Sequence, residues 1–379
     1  MKNSFILLSL FASLFSFGQS TLDKTIVSGG VVRSYKIYIP ASYSSTVPVP
    51  LVFNFHGLGS NSLQQMLYGD FRSIADTANF IVVHPQGTTS TSLGATFWNA
   101  YFGQAVNDFG FVSDLIDTIS SDYSINPDRI HSTGMSNGGY MSLALASEFD
   151  NLFASVASVT GSMTRLFPIS PTNTKPISVL QIHGTADSTV KYLGDASSHD
   201  ISYVIDYWKN HNNTSSTPVV DSIPNVSITD NCDAKRYTYG SGTNNTEVIH
   251  YKVFGGAHTW PGAPIPIGVT NQDFNASEVI WRFFDKHPRS SSLSVSELNQ
   301  KVQFQFVFKS SFNELVITNE SQNQGARFRV INALGQIVIE GKLEGRDTSL
   351  NLNDSKPGVY IAQVFDAQNT SQTFKFIKH

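Results

Sequence analysis

Residues 129–139 read Arg129-Ile130-His131-Ser132-Thr133-Gly134-Met135-Ser136-Asn137-Gly138-Gly139. A short strand-like run occupies 129–132, and a helix-period stretch follows over 139–148. Between them sits Gly-x-Ser-x-Gly. The bare pattern carries little weight. Placed between a strand and a helix it describes a nucleophile elbow. The two glycines allow a tight turn that lifts the Ser136 hydroxyl out at the end of a sheet. The N–H of Asn137, near the helix N-terminus, then faces any negative charge developing on a bound carbonyl oxygen. The plain alternative is a glycine-rich turn with a solvated serine.

The flanking chain supports the first reading. Apolar or alternating runs at 32–39, 50–55, 79–83, 153–159, 177–182 and 248–254 are interleaved with helix-period stretches at 63–78, 111–123, 201–211 and 276–286. Short apolar strands alternating with helices predict an α/β domain with a mainly parallel sheet, spanning 19–287. Three further motifs fall just past predicted strands. His183-Gly184-Thr185-Ala186-Asp187 follows 177–182, Gly255-Gly256-Ala257-His258 follows 248–254, and His56-Gly57-Leu58-Gly59 follows the run ending at 55. A serine hydroxyl needs a base and the base needs an orienting acid. His258 and Asp187 are the candidates, in the chain order Ser136, Asp187, His258 found in α/β-hydrolases. Asp195 and Asp206 are rival acids; the first lies too far past its strand and the second sits in a helix pattern. Gly57 and Gly59 let the backbone approach a substrate, so Leu58 N–H is the second candidate oxyanion donor beside Asn137. His56, Trp98 and Trp260 are candidate substrate contacts, with core packing the plain alternative. The stretch Asn107-Asp108-Phe109-Gly110 is placed to cap the helix over 111–123. Residues 210–217 and 244–246 read as loops, and the segment 212–247 is a candidate overhang for the site.

Composition narrows the function. Of 379 residues, 14% are charged, against about 25% in an ordinary soluble domain. The chain holds 49 Ser, 28 Thr and 27 Asn instead, with 40% hydrophobic and 12% aromatic residues. That excludes an intrinsically disordered chain. A net charge of −4 gives no general electrostatic case for nucleic-acid binding. No phosphate loop and no metal-spaced cluster is present, so neither cofactor nor metal is expected. The lone Cys232 excludes an intrachain disulfide framework.

The ends carry addresses. Lys2, an apolar run over 5–17 and the small-residue exit Ser16-Phe17-Gly18 predict a signal peptide over 1–18. No other stretch approaches the roughly 18 to 20 apolar residues of a membrane span. A Pro-led serine run over 288–296 reads as a linker. Residues 297–379 show alternating runs at 304–308, 314–318, 328–331, 337–343, 359–365 and 374–377 separated by turn signals. They predict a small all-β sandwich.

His56-Gly57-Leu58-Gly59-Ser60, His84-Pro85-Gln86-Gly87, Trp98-Asn99, Asn107-Asp108-Phe109-Gly110-Phe111, the elbow, His183 to Asp187 and Gly255-Gly256-Ala257-His258-Thr259-Trp260-Pro261-Gly262 together resemble the secreted polyhydroxybutyrate depolymerase and feruloyl esterase group of α/β-hydrolases. The resemblance covers about residues 25–287. It implies the same triad, and as substrates hydroxyalkanoate polyesters or feruloyl and acetyl esters on plant polysaccharide. Phe328-Arg329-Val330-Ile331-Asn332, Pro357-Gly358-Val359-Tyr360-Ile361 and Phe374-Lys375-Phe376-Ile377-Lys378 resemble the C-terminal sorting domain of the type IX secretion system. That implies export to the cell surface or beyond, with the secretion machinery as partner. A polysaccharide-binding module is the rival for the tail, which holds no Trp and only Tyr360 as tyrosine. For the whole chain, a secreted serine esterase is expected. A peptidase on the same fold and a non-catalytic polysaccharide-binding surface protein are the alternatives.

Overall fold

A computed structural model describes residues 20–103, 105–166, 172–289, 304–309, 313–319, 325–332, 335–365 and 371–378. The signal peptide expected over 1–18, and residues 290–296 of the expected linker, lie outside them. The chain divides into two units, Met1–Ser290 and Ser291–His379.

Gly29 and Gly30 both adopt positive φ, 56° and 79°, which a two-residue hairpin of right-handed strands requires. They join β1 (Ser20–Ser28) to β2 (Val31–Ile39). Then follow β3 (Val49–Phe55), α1 (Ser62–Tyr68), α2 (Arg72–Ala78), β4 (Ile81–Pro85), a small hairpin of β5 (Thr88–Ser90) and β6 (Ala95–Phe97), α3 (Asp108–Asp122), β7 (Ile125–Met135), α4 (Asn137–Glu148), β8 (Ser155–Val159), β9 (Ser178–Gly184), α5 (Ile201–Asn212), β10 (Val219–Ser222), β11 (Asp233–Tyr239), β12 (Val248–Phe254) and α6 (Ala276–Lys286). Ten strands form one sheet in the order β1-β2-β4-β3-β7-β8-β9-β12-β11-β10. The six from β4 to β12 run parallel, and an antiparallel pair flanks them on each side.

Alternate side chains feed opposite faces. Leu51, Phe53 and Phe55 pack with α3, α4 and α5, while Val52 joins Phe71, Ala75 and the apolar stripe of α6 on the other face. Phe80 stacks on Trp281 at 3.8 Å, tying α6 to that face. Each such fully buried side chain contributes about 1.5–3 kcal/mol. The chain passes from β3 to β4 in one direction and then to β7 in the other. The loops after β3 and β7 therefore meet at a topological switch point, where open α/β sheets bind ligands.

Two expectations are corrected and one strand is added. The helix expected over 63–78 is two helices. Gly69 lies against the Trp260 ring, where an added Cβ would come within 3.0 Å, and the Asp70 carboxylate takes the N–H of Arg72 at 2.8 Å. The strand β1 was not anticipated, although Gly29-Gly30 signals its turn. The segment 212–247 contributes β10 and β11 to the sheet edge rather than covering the site.

The second unit contains β13 (Phe304–Lys309), β14 (Glu314–Asn319), β15 (Arg327–Asn332), β16 (Ile337–Lys342), β17 (Asp347–Asn351), β18 (Gly358–Phe365) and β19 (Ser371–Lys378). Antiparallel sheets β13-β14-β17 and β16-β15-β18-β19 enclose one core that includes Leu315, Ile317, Val330, Leu350, Ala362 and Val364. Sequence reading missed β17, whose Asp347-Thr348-Ser349-Leu350-Asn351 offers one buried apolar residue.

Candidate active site

Ser136 stands between β7 and α4 with φ 53° and ψ −120°, a strained conformation for a residue with a side chain. Close backbone approaches hold it there. A Cβ on Gly138 would fall 2.1 Å from the Phe55 carbonyl oxygen, and one on Gly134 would fall 2.6 Å from the Gly138 backbone. The N–H of Ser136 donates to Val159 O at 2.8 Å. Gly57 is the neighbour across the turn; a Cβ there would sit 3.4 Å from Ser136 Cβ.

Asp187 lies on the turn after β9, and its side chain is fully buried. Its Oδ1 accepts the N–H groups of Thr189 and Val190, each at 2.9 Å. Its Oδ2 accepts His258 Nδ1–H at 2.8 Å. Burial alone would raise the carboxyl pKa. Bonding to His183 and His258, with their charge interaction, outweighs it and holds the group well below the usual carboxylate range. His258 reaches it because Gly184 and Gly256 touch; a Cβ on Gly184 would meet Gly256 O at 2.1 Å. Asp195 instead accepts from the backbone of Ser197 and Ser198, and Asp206 pairs with Lys209 on α5.

Leu58, Ser136 and His258 line one cavity of about 550 Å³. Leu67, Ile265 and Ile267 supply an exposed apolar wall, and Gln64 and Tyr68 add polar groups. Asn137 opens α4, so its N–H lies at the helix N-terminus beside Ser136. A hollow of about 590 Å³ on the second unit is lined by Arg327, Arg329 and Lys342 among others, with no serine or histidine among the described residues that line it.

His56, Trp98 and Trp260, the candidate substrate contacts, are 0%, 0% and 1% exposed and do not line the cavity. Each supports it from behind. His56 Nε2 accepts the N–H of Gly87 at 2.9 Å while Nδ1 donates to Gly57 O at 2.8 Å; burial lowers the ring pKa to about 4. Trp98 Nε1 donates to His56 O at 2.9 Å. Trp260 Nε1 donates to Ser277 Oγ at 3.2 Å. The Asn137 side chain clamps the Trp98 backbone, accepting its N–H at 2.6 Å and donating to its carbonyl at 3.0 Å. Behind Trp98, Asp108 accepts the N–H of Asn99 at 2.7 Å and pairs with Arg33 at 2.7 Å. Asn107 caps α3, which begins at Asp108, three residues earlier than expected. Sequence reading missed Arg33, whose partner is 75 residues away. It also missed the apolar wall, flagged only by Pro264-Ile265-Pro266-Ile267.

Comparison with known proteins supports the fold. An acetyl xylan esterase structure from Aspergillus awamori superposes with a TM-score of 0.53 at 14% identity, covering 70% of this chain and 99% of that one. The fold is that of an α/β-hydrolase. Residues 70–168 of the hydrolase unit match the prolyl oligopeptidase family. Residues 311–379 match the secretion system C-terminal sorting domain, so the second unit carries a sorting domain of the type IX kind. The bifunctional acetylxylan esterase/xylanase of Neocallimastix patriciarum is 26% identical over 237 residues, 62% of this chain. The match spans about a third of that protein, 32% of its length. Feruloyl esterase D of Neurospora crassa is 28% identical over 164 residues, 42% of this chain and 55% of that protein. Among the described residues no helix is long and apolar enough to cross a membrane.

Proposed function

We propose that the chain is a secreted serine esterase cleaving neutral carboxylic esters. The observation that carries this is the 2.8 Å bond from His258 Nδ1 to Asp187, at a cavity His258 shares with Ser136 on its strained turn. Ser136 Oγ attacks the ester carbonyl as its proton passes to His258. The oxyanion rests on the N–H groups of Asn137 and Leu58. His258 then protonates the departing alcohol, and water, deprotonated by the same ring, hydrolyses the acyl-enzyme. Asp187 keeps the imidazole oriented and balances its charge.

The substrate reading rests on the cavity and the relatives. Among the described residues its lining holds no Lys, Arg, Asp or Glu, which suits a neutral ester. A volume near 550 Å³ lies within the range of about 300–1,000 Å³ that accommodates a whole small molecule, far more than an acetyl group fills. A bulky acyl group, or a segment of polymer, uses that space. Feruloyl or acetyl esters of plant polysaccharide and polyhydroxybutyrate-type polyesters are the proposed classes. Replacing Ser136 with Ala should reduce p-nitrophenyl acetate hydrolysis by at least about 10³-fold; retention of more than a few per cent rejects the assignment. Methyl ferulate, acetylated xylan and a polyhydroxybutyrate film then separate the substrate classes.

The prolyl oligopeptidase match favours a second reading, a peptidase. It covers the elbow but neither Asp187 nor His258, and among the described residues the cavity lining offers no carboxylate to receive a peptide amino terminus. Turnover of a peptide p-nitroanilide faster than the matching ester would select the peptidase.

A further inference from the structure

Two imidazoles serve the Asp187 carboxylate, and only His258 belongs to the proposed triad. The other, His183, lies at the end of β9 with its side chain fully buried. Its hydrogen bonds fix where its proton sits. Gln181 has one amide nitrogen with two hydrogens; one goes to Gly161 O at 2.8 Å and the other to His183 Nδ1 at 3.2 Å. Nδ1 is therefore an acceptor, and the ring carries its proton on Nε2. That Nε2 stands 2.8 Å from Val190 O and 3.4 Å from Asp187 Oδ2. Val190 also donates its own N–H to Asp187 Oδ1. The turn from Asp187 to Val190 is thus held at its carbonyl by His183 and at its amide by the carboxylate.

We propose that His183 is a positioning residue for this site: it pins the Asp187–Val190 turn and shares its Nε2–H with the carboxylate oxygen that receives His258. This rests on the triad reading above. The path Gly161–Gln181–His183–Asp187–His258 links the loop after β8 to the base. The other titratable groups facing it are His250 and Lys252 on β12, Tyr192 and Asp195 after the turn, and Tyr140 on α4. His250 is occupied by Tyr192 OH at 3.0 Å and Gln181 O at 3.1 Å. Tyr192 lies edge-on to the His183 ring at 5.9 Å, and Lys252 lies 5.0 Å over the Tyr192 ring. The Asp195 carboxylate is taken up by Ser197 and Ser198, and Tyr140 OH by Ser198. None of these bonds to Asp187 among the described residues, so His183 is the side chain that sets its orientation from the interior.

The test compares His183→Phe, which fills the space without a donor, with His183→Gln, which keeps one. For His183→Phe, kcat on p-nitrophenyl acetate should fall about 10- to 100-fold with KM within about twofold, the effect of a misplaced group rather than of lost binding. A carboxylate relieved of one donor attracts the imidazolium more strongly, so the acidic limb of kcat/KM should move to higher pH. His183→Gln should recover most of kcat and the original limb. Gln181→Met, which frees the tautomer without touching the turn, should shift the limb the same way by less. A folded His183→Phe protein with wild-type kcat and pH profile overturns the proposal, as does a loss that Gln does not relieve. If His183→Phe does not fold, an unmoved limb in Gln181→Met overturns it. Asp187→Ala separates the two readings: full activity there removes the triad itself, whereas an inactive Asp187→Ala beside an unaffected His183→Phe removes only this proposal.

Discussion

Acid should unfold the hydrolase unit in a window set by its buried histidines. Burial lowers the rings of His56, His84 and His250 to about 4, 3 and 3 respectively, from about 6.5 in an unfolded chain. Above pH 6.5 neither state binds these protons, and the stability is fully present. Below it the unfolded chain takes up one proton per ring that the folded chain refuses. Stability therefore falls as pH drops from 6.5 toward the folded values. At pH 5 each ring costs ~2 kcal/mol, and the three together ~6 kcal/mol, against a typical total of 5–15 kcal/mol. Asp187 acts in a different window: its depressed pKa adds stability above about pH 4 that is lost only as pH falls further. Urea unfolding followed by tryptophan fluorescence at pH 7 and pH 5 measures the histidine contribution. His84 is fully buried on β4, so His84→Leu should cut the pH 7 to pH 5 loss by ~2 kcal/mol. Equal losses in wild type and His84→Leu would refute the reasoning for that ring.

Gly138→Ala places a Cβ 2.1 Å from Phe55 O, against backbone on the central strand; activity should fall at least about 10²-fold, read against an unchanged far-ultraviolet circular dichroism spectrum. Arg33→Met leaves Asp108 charged and 0% exposed, which should cost about 3–5 kcal/mol in urea unfolding. The companion Arg33→Met/Asp108→Leu variant should recover part of that. Ile265 and Ile267 are 73% and 62% exposed on the cavity wall, so replacing both with Ser should leave the melting temperature within about 2 °C while raising KM for esters with long apolar acyl groups more than for acetate.

What was legible in the sequence was local. Gly134, Gly138 and Gly184 stand where a Cβ would collide with a neighbouring backbone, and such positions announce themselves as glycine beside the residue they expose. The strands preceding the Leu58 and Asp187 motifs were equally readable, because β3 and β9 are buried throughout and appear as apolar runs. The candidates Leu58, Ser136 and His258 share a cavity, and Asp187 stands behind His258. Contacts across long sequence separations were not legible. Arg33 meets Asp108, and Asn137 clamps Trp98, only once the sheet has been assembled. Trp98 and Trp260 show the limit from the other side. A tryptophan in a motif-rich loop reads equally as wall or as core, and only the packing against Phe55 at 5.0 Å and Phe71 at 6.3 Å decides for core.

The two halves of the site answer to different physical demands. The side proposed to carry out the chemistry is held by close backbone contacts and hydrogen bonds. Ser136 sits in a conformation costing about 1–3 kcal/mol, held by Val159, Phe55 and the start of α4. Asp187 accepts two backbone N–H groups and His258, and His56 locks the Leu58 loop from below. Such rigidity is what a transition state needs, since donors that must reorganise lose their advantage. The wall formed by Leu58, Leu67, Ile265 and Ile267 is exposed and comes from α1 and two loops. Side chains there can change without disturbing a strand, a glycine contact or the buried Arg33–Asp108 pair. On the proposed function, the choice of ester would therefore reside in residues the fold does not constrain, while the reaction would reside in residues it does.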